Sequence, residues 1–460
     1  MASQVSDQSA AVAAMAEHWP MIDALVGGTK AMRAAGRAFL PQWPKEDESS
    51  YQTRLAVATL FPAFSRTTAV LAAKPLSKPI GLGELPPAIA GLIADIDMAG
   101  STLHAFAAQV MLACLRYGLA GVLVECPPAE GAVTRADEVA RGIRPYLALY
   151  PAKTILGWRS ARGPQGTILT QLRLLEQVTE ADGDFGEATI TQVRVLTPGA
   201  WAIWRQASAG TGDREEWVLH SQGTTTLTTI PFVFFYGLRD GFGLGPPPLL
   251  DLAYLNVEHW QSASDQQTIL HVARVPILFA KGFAEGDSIL VGASSAVSSA
   301  SPDAELKYVE HSGAAIEAGR QALIDTEDRM RQIGAELLVQ KPTIATATQT
   351  VSEGEASRSI LQRITETFED SLAECLRLMG AWIGETVTAE VEMFKDFGAT
   401  DLSERSSDIL LRAAAGGHVS SETVFHQLRR RDIIAPDLSW DDEQGKLAAK
   451  PPPVKDDQPT

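Results

Sequence analysis

Gly241-Phe-Gly-Leu-Gly-Pro-Pro-Pro-Leu-Leu-Asp-Leu-Ala-Tyr-Leu-Asn256 is the stretch on which the fold turns. Alternate glycines and three successive prolines cannot sit inside a regular element, because proline removes a donor and fixes its own φ. A proline run suits only the entry to a helix. From Leu249 the chain then holds no glycine or proline until Pro276. That predicts one helix, Leu249 to Ala273, about 37 Å long at 1.5 Å per residue.

A second helix is predicted from Ala314 to Leu338. Its apolar residues Ile316, Leu323, Met330 and Leu337 recur at steps of seven, with Ile333 between the last two. This is a narrow stripe that packs against one neighbouring helix and leaves the other faces polar. Between the two helices, 277–279, 289–291 and 306–309 read as short strands around a Ser/Ala/Gly-rich loop at 292–301. Downstream, a Thr/Ala/Gln loop over 340–350 leads into a third helix, Ser352 to about Glu392. The C-terminal part is helical again, with Ser420 capping 422–431 and a Pro/Lys/Asp-rich tail that composition marks as disordered.

Upstream, 1–75 reads as helices: 21–35, then 46–73 kinked at Pro62. Ser101 to Tyr117 is a further helix, capped by Ser101 or Gly100 and closed by Gly118 in the left-handed position. Gly121 to Glu125 is a buried strand. From Arg144 to Tyr236 strands alternate with turns (146–150, 170–176, 191–196, 201–205, 216–220, 230–236), a β-rich block with antiparallel spacing. The predicted class is α+β, mainly helical.

Composition narrows the functions. The 460 residues hold 39 Lys plus Arg against 56 Asp plus Glu, a formal net charge of −17. Tight sequence-independent DNA binding needs clustered cations that release condensed counterions, so that class is excluded. With 45% hydrophobic and 21% charged residues the chain can bury a core, and its length suits roughly three domains. Cys114, Cys126 and Cys375 form no CxxC pair, which fits a reducing compartment and small buried apolar residues. The N-terminus has no basic region ahead of an apolar one. The charge-free run 98–115 carries Ser101, Thr102, His104 and Gln109, and reads as a buried helix rather than a membrane span.

Sites for chemistry are sparse. Gly241-x-Gly-x-Gly245 follows a strand and precedes a helix, but prolines stand where a dinucleotide fingerprint needs its third glycine and its amide donors. There is no GxxxxGK[ST], GxSxG or HExxH. Asp95 and Asp97, with Glu125, form the one acidic set suited to a divalent metal and phosphoryl chemistry. The plainer reading places those aspartates in a turn ahead of a helix N-terminus. Arg429, Arg430 and Arg431 form a basic run at a helix C-terminus, where positive charge is favoured in any case. The tryptophans of the β block read as core.

The order of these features resembles the portal proteins of tailed bacteriophages, in particular a compact portal family long labelled only as a domain of unknown function. The residues that carry the resemblance run through most of the chain: Tyr51-Gln-Thr-Arg-Leu55 after an acidic run, Asp97-Met-Ala-Gly-Ser-Thr-Leu103 with Tyr117-Gly118, Ile230-Pro231-Phe232, and Pro247-Pro-Leu-Leu-Asp-Leu-Ala-Tyr-Leu-Asn256. Ser264-Asp265, Leu270-His271, Val275-Pro276 and Thr346-Ala-Thr348 ahead of Ser359 complete the series.

That resemblance implies a ring of about twelve copies at one capsid vertex, without cofactor, metal or catalytic residue. Double-stranded DNA would pass through it without tight binding, driven by a large terminase motor. Head-tail adaptor or tail proteins, the major capsid protein and scaffold would be further partners, with no membrane involved; the subunit would assemble in the host cytoplasm and end in the virion. By the same resemblance 1–248 holds N-terminal helices and a β-rich wing, 249–273 and 314–338 are the stem helices, and 274–313 is the clip. The tunnel loop is 339–351, a long wing helix 352–397, a helical crown 398–445 and a disordered tail 446–460. Gln340, Lys341, Thr343, Thr346, Thr348 and Gln349 would face DNA. The stripe Ile316, Leu323, Met330, Ile333 and Leu337 would pack subunits. Asp287, Asp303 and Glu305 would meet motor or adaptor, and Arg429 to Arg431 would form a crown patch. Two other readings stay open: a metal-dependent phage nuclease using Asp95, Asp97 and Glu125, and another virion structural protein such as an adaptor.

Overall fold

The computed structural model describes residues 4–127, 140–164, 166–206, 216–274, 277–282, 303–309, 314–338, 359–397, 419–430 and 438–448, with a few single positions between 134 and 137 and between 412 and 434. The architecture is mixed helix and sheet, as the sequence predicts.

Helices open the chain: α1 (Ala10–Ala16), α2 (Trp19–Val26), α3 (Gly28–Ala35), α4 (Glu48–Val57) and α5 (Ala63–Ala73). Two expected helices are each divided. Gly28 adopts φ +73° and splits the first. Ala58 leaves the helical region at ψ 136° and Pro62 caps the next helix, so the second is broken rather than kinked. A strap carrying β1 (Gly81–Leu82) and the short α6 (Pro87–Ala90) leads to α7 (Leu103–Tyr117). Thr102, not Ser101 or Gly100, caps α7 by accepting from Ala105 N at 3.2 Å. Gly118 closes it at φ +83°, in the predicted left-handed position.

Two antiparallel sheets follow. The smaller has the order β3-β2-β9, from β2 (Leu119–Glu125), β3 (Tyr146–Pro151) and β9 (Phe232–Tyr236). The larger is a meander of β4 (Ile155–Gly163), β5 (Gly166–Asp182), β6 (Gly186–Thr197), β7 (Ala200–Gln206) and β8 (Trp217–Thr224). Strand β4 has no counterpart in the sequence reading. Its pairing with β5 shifts register between Ile155 and Gly157, and a bulge at a glycine hides the alternation that betrays a strand.

The centre of the molecule is the small sheet. Every residue of β9 and all of β2 except Glu125 are buried, because α7 and a later helix both pack on them. Gly121 is a glycine for a reason visible here: a Cβ would lie 1.9 Å from the Phe232 ring.

After the proline run come α8 (Leu250–Ala273), the hairpin of β10 (Ile277–Lys281) with β11 (Glu305–Val309), and α9 (Ala314–Glu336). The third long helix, α10, spans Ile360–Ile383 instead of continuing to Glu392. A capping box between Ser359 and Gln362 starts it, and Gly384 at φ +73° stops it. Its apolar face, with Leu361, Ile364, Phe368, Leu372, Cys375 and Met379, is buried, and Phe368 meets Phe235 of β9 at 4.8 Å. The chain then turns back: buried Glu369 accepts from Met393 N at 2.6 Å and Lys395 Nζ at 2.9 Å, which brings β12 (Val391–Glu392) onto β1. The end of the chain holds α11 (Ser421–Arg430), where Ser420 accepts from Thr423 N as expected, and α12 (Trp440–Ala448). α12 reaches past 446 because Ser439 caps it and its first turn is acidic, so 446–448 belong to a helix and not to the expected tail.

Candidate functional site

The candidate site is the long helix pair, from its root in the body to the hairpin at its tip. The root begins with the glycines of the opening stretch. Segment 237–247 lies directly on the end of α7, where a Cβ on Gly118 would stand 2.1 Å from Gly245 O and one on Gly245 would stand 2.4 Å from Gly118 O. Gly243, at φ +74°, lies against the Trp158 ring and donates to Tyr236 Oη at 2.9 Å. Gly118 and Gly245 serve close packing of backbone, and the amides of Gly118 and Gly243 donate to protein groups rather than to a phosphate.

Asn256 fixes α8 to the N-terminal helices. It is fully buried, accepts from Phe64 N at 2.9 Å and donates to Phe61 O at 2.8 Å. Pro62 gives α5 no capping side chain, so Asn256 supplies the cap from another helix. A turn further on, Gln261 donates to Phe39 O at 3.0 Å. Arg54, 4% exposed, is gripped by Glu46 through two contacts of 2.8 Å, donates to Pro41 O, stacks over Trp43 at 4.2 Å and lies 3.8 Å from Asp265 of α8. The hydrogen bond from Arg54 holds the Glu46 carboxyl below the usual glutamate range.

The seam between α8 and α9 changes character along its length. Gln266 faces Ile316 and His259 faces Glu327, which makes the pair antiparallel. Near the root Leu252, Ala253, Trp260, Met330 and Leu337 are buried. Further out the seam is polar: Gln266 Nε2 donates to Ile316 O at 2.8 Å, over Gly319, where a Cβ would stand 2.0 Å from the glutamine oxygen. His259 Nε2 lies 3.5 Å from Glu327 Oε1, and burial pushes its pKa below the ordinary histidine value. Of the predicted stripe, Met330 and Leu337 are buried while Ile316, Leu323 and Ile333 are half-buried. The helix that answers this stripe is α8 of the same chain.

The pair is acidic outside. Asp251, Glu258, Glu317, Asp325, Asp328 and Glu336 are exposed there, against Arg320, Arg329 and Arg331. Arg320 is taken up by Glu317 at 2.5 Å, and Arg331 by Glu327 at 3.0 Å and by Asp328. At the tip Asp303 and Glu305 are exposed, with Glu305 2.8 Å from Lys307. Asp287, the whole set Gln340, Lys341, Thr343, Thr346, Thr348 and Gln349, and Arg431 lie outside the described residues, as does the expected strand at 289–291. Arg429 and Arg430 end α11, without described side chains.

The acidic trio has other employment. Asp95 accepts from Gly100 N at 2.7 Å and pairs with Arg144 at 2.6 Å. Asp97 accepts from Ala99 N and Ser101 N, bonds that, against burial, keep its pKa low. Glu125 is held by Tyr146 and Arg194. Arg194 also lies 2.7 Å from Glu176, which accepts from Tyr150 at 2.6 Å and Gln192 at 2.7 Å. This network stitches β2 and β3 to β5 and β6. Burial, with the adjacent carboxylates, pushes both tyrosine hydroxyls far above their usual pKa. Among the described residues no group of three or more His, Cys, Asp or Glu is arranged to hold a metal ion, and no helix is long and apolar enough to cross a membrane.

The roles of Asn256, Gln266 and Gly319 were not legible in the sequence. Asn256 closes the motif that begins at Pro247, but nothing there shows what it bonds; Gln266 is one of several polar residues on its helix, and Gly319 is a glycine within a helical run. Comparison with known proteins gives the following. A family model described as a domain of unknown function, DUF4055, matches residues 248–383, from the last proline of the run to the end of α10. No curated protein matches. Among solved structures, a chain from the neck of an empty GTA particle with C6 symmetry is similar at TM-score 0.42 and 13% identity, over 89% of this chain and 95% of that one. A chain from the virion of a native gene transfer agent (GTA) particle is similar at TM-score 0.41 and 14% identity, over 91% and 99%.

Proposed function

We propose that this chain is a structural component of the head–neck region of a phage-type virion and, within it, a portal subunit. About twelve copies would form a ring at one capsid vertex, a channel for DNA packaging and ejection and a dock for the terminase motor and for tail or adaptor proteins. The reading gives the subunit no catalytic chemistry of its own.

The observation that carries it is the helix pair. Helices of 24 and 23 residues, rooted in an α/β body by Asn256 and Arg54, project a β-hairpin at their far end. Their outer faces carry six exposed carboxylates to three guanidinium groups, and two of the three arginines are taken up locally. DNA passing such a surface meets few cations able to hold it by counterion release, as sliding requires. Repulsion is screened within about 8 Å at physiological salt, so only acids close to the duplex act on it.

Imaging of the purified protein by negative-stain electron microscopy tests the reading. Rings with a central hole are expected; monomers at every salt concentration would overturn it. Lys341→Ala is expected to leave ring assembly intact and to alter packaging or DNA retention. A nuclease reading is less favoured, because Asp95 and Glu125 are paired with arginines and Asp97 with backbone amides. Mg²⁺- or Mn²⁺-dependent cleavage of DNA, abolished by Asp97→Ala, would restore it.

A further inference from the structure

The two longest strands outrun their sheet. β5 pairs with β4 only as far as Leu174, and β6 pairs with β7 only from Gln192 onward. Yet β5 and β6 stay in register with each other to Asp182↔Gly186. Residues 177–191 are therefore a two-stranded arm reaching about 17 Å past the sheet at ~3.3 Å per residue. Two strands alone are marginal in water, and an arm of this kind gains by docking. Residues 179–187 are exposed throughout, and Phe185 at the turn is fully so, at 101%. Around it the arm carries Glu180, Asp182, Asp184 and Glu187 and no basic residue. Glu180 is tied to Arg205 at 2.8 Å, near the root of the arm.

The same chain has a groove of the converse character. Between the strap at 76–82 and the start of α7 lies an apolar groove of about 330 Å³, walled by Leu76, Ile80, Leu82, Ile93 and Leu103. Among the described residues its titratable lining residues are Lys78 and His104, with no carboxylate. The exposure of Phe185 shows that the arm does not fill this groove in its own chain.

We propose that the arm of one copy seats Phe185 in the groove of the next, with Asp182, Asp184 and Glu187 facing Lys78 and His104. The occupant is a second copy of this chain, because both halves of the contact lie on one sequence and match in charge and in apolar character. Two different patches meet, so the contact is head-to-tail, the kind that closes into a ring; in this it rests on the ring reading above. The arm supplies one contact of that interface, and a buried aromatic in an apolar pocket is what commonly anchors such contacts.

The test is photocrosslinking of the full-length protein with p-benzoylphenylalanine in place of Phe185, in an equal mixture of ¹⁵N-labelled and unlabelled copies. Crosslinked peptides joining 185 to residues 76–104 with mixed isotope labels are expected. Crosslinks elsewhere on the neighbour, or only within one copy, would overturn the contact. In parallel, Phe185→Ser is expected to lower ring yield about tenfold at limiting concentration, the worth of one anchor residue. Asp182→Lys with Asp184→Lys is expected to lower it too, with recovery on adding Lys78→Glu. Undiminished rings from the arm variants sink the arm contact alone. If the wild type forms no ring, the portal reading falls, and the crosslink map of concentrated protein still decides the contact.

Discussion

Asn256 shows how much one polar side chain can fix. It joins α8 to two backbone groups of the α4–α5 break, and the hole left by Asn256→Ala would strand both. A buried donor or acceptor left unpaired costs about 1–3 kcal/mol, so urea denaturation of that variant is expected to show a loss of about 2–4 kcal/mol. His259 makes a different prediction. Its folded pKa lies below the unfolded value, so the folded state binds its proton later as pH falls. Stability is then full above the unfolded value, near 6.5, and declines as pH drops from there towards the folded pKa. His259→Gln is expected to flatten that part of the stability–pH curve; an unchanged slope would refute the assignment. Glu46 adds a second acid limb. Its depressed pKa gives stability that is present above the usual glutamate value and is lost as pH falls through the folded one.

Among the elements, the helix pair holds by two unlike means. Its root is apolar and joins the core, with the contact of His259 and Glu327 beside it, while its outer half depends on Gln266 seated over Gly319. Gly319→Ala would put a methyl carbon where the glutamine oxygen sits. Hydrogen exchange should then quicken in 261–273 and 314–326 while α7, β2 and α10 keep their protection; uniform change across the molecule would contradict a local seam. A polar seam of this kind sets which residues face each other more than it adds stability. The glycines at 118 and 245 make the same point at the root, since each stands where backbone meets backbone too closely for any side chain.

For the whole molecule, the distribution of charge matters more than its sum. The net −17 excludes a tight general DNA binder, and the structure puts part of that excess on the outer faces of the helix pair. At physiological salt, purified protein is expected to retard duplex DNA in a gel only at high micromolar concentration or above, and retention at nanomolar concentration would contradict a low-friction channel. The β5–β6 arm extends the same logic of patches, since its acids cluster around one fully exposed aromatic.

Much of this was readable from local chemistry. The long helices, the Gly118 turn, the antiparallel block and the absence of familiar catalytic motifs follow from periodicity, from glycine and proline, and from composition, all of which act within a few residues. The length of α10 was misread because Gly384 alone gives its stop, and β4 was missed because a bulge breaks its alternation. The site was less legible. The stripe on α9 announces a helical neighbour but not which one, and the structure places it against α8 of the same chain. The acids at 95, 97 and 125 look alike in sequence; only the fold sets Arg144 and Arg194 beside two of them and backbone amides beside the third. Sequence by itself determined where most of the elements form, since that depends on each residue's own backbone and its near neighbours. Tertiary structure alone decided how Asn256, Arg54 and Gln266 are partnered and that Phe185 stands exposed, because partnering and exposure are set by chain segments up to about two hundred residues apart, whose meeting no local pattern records.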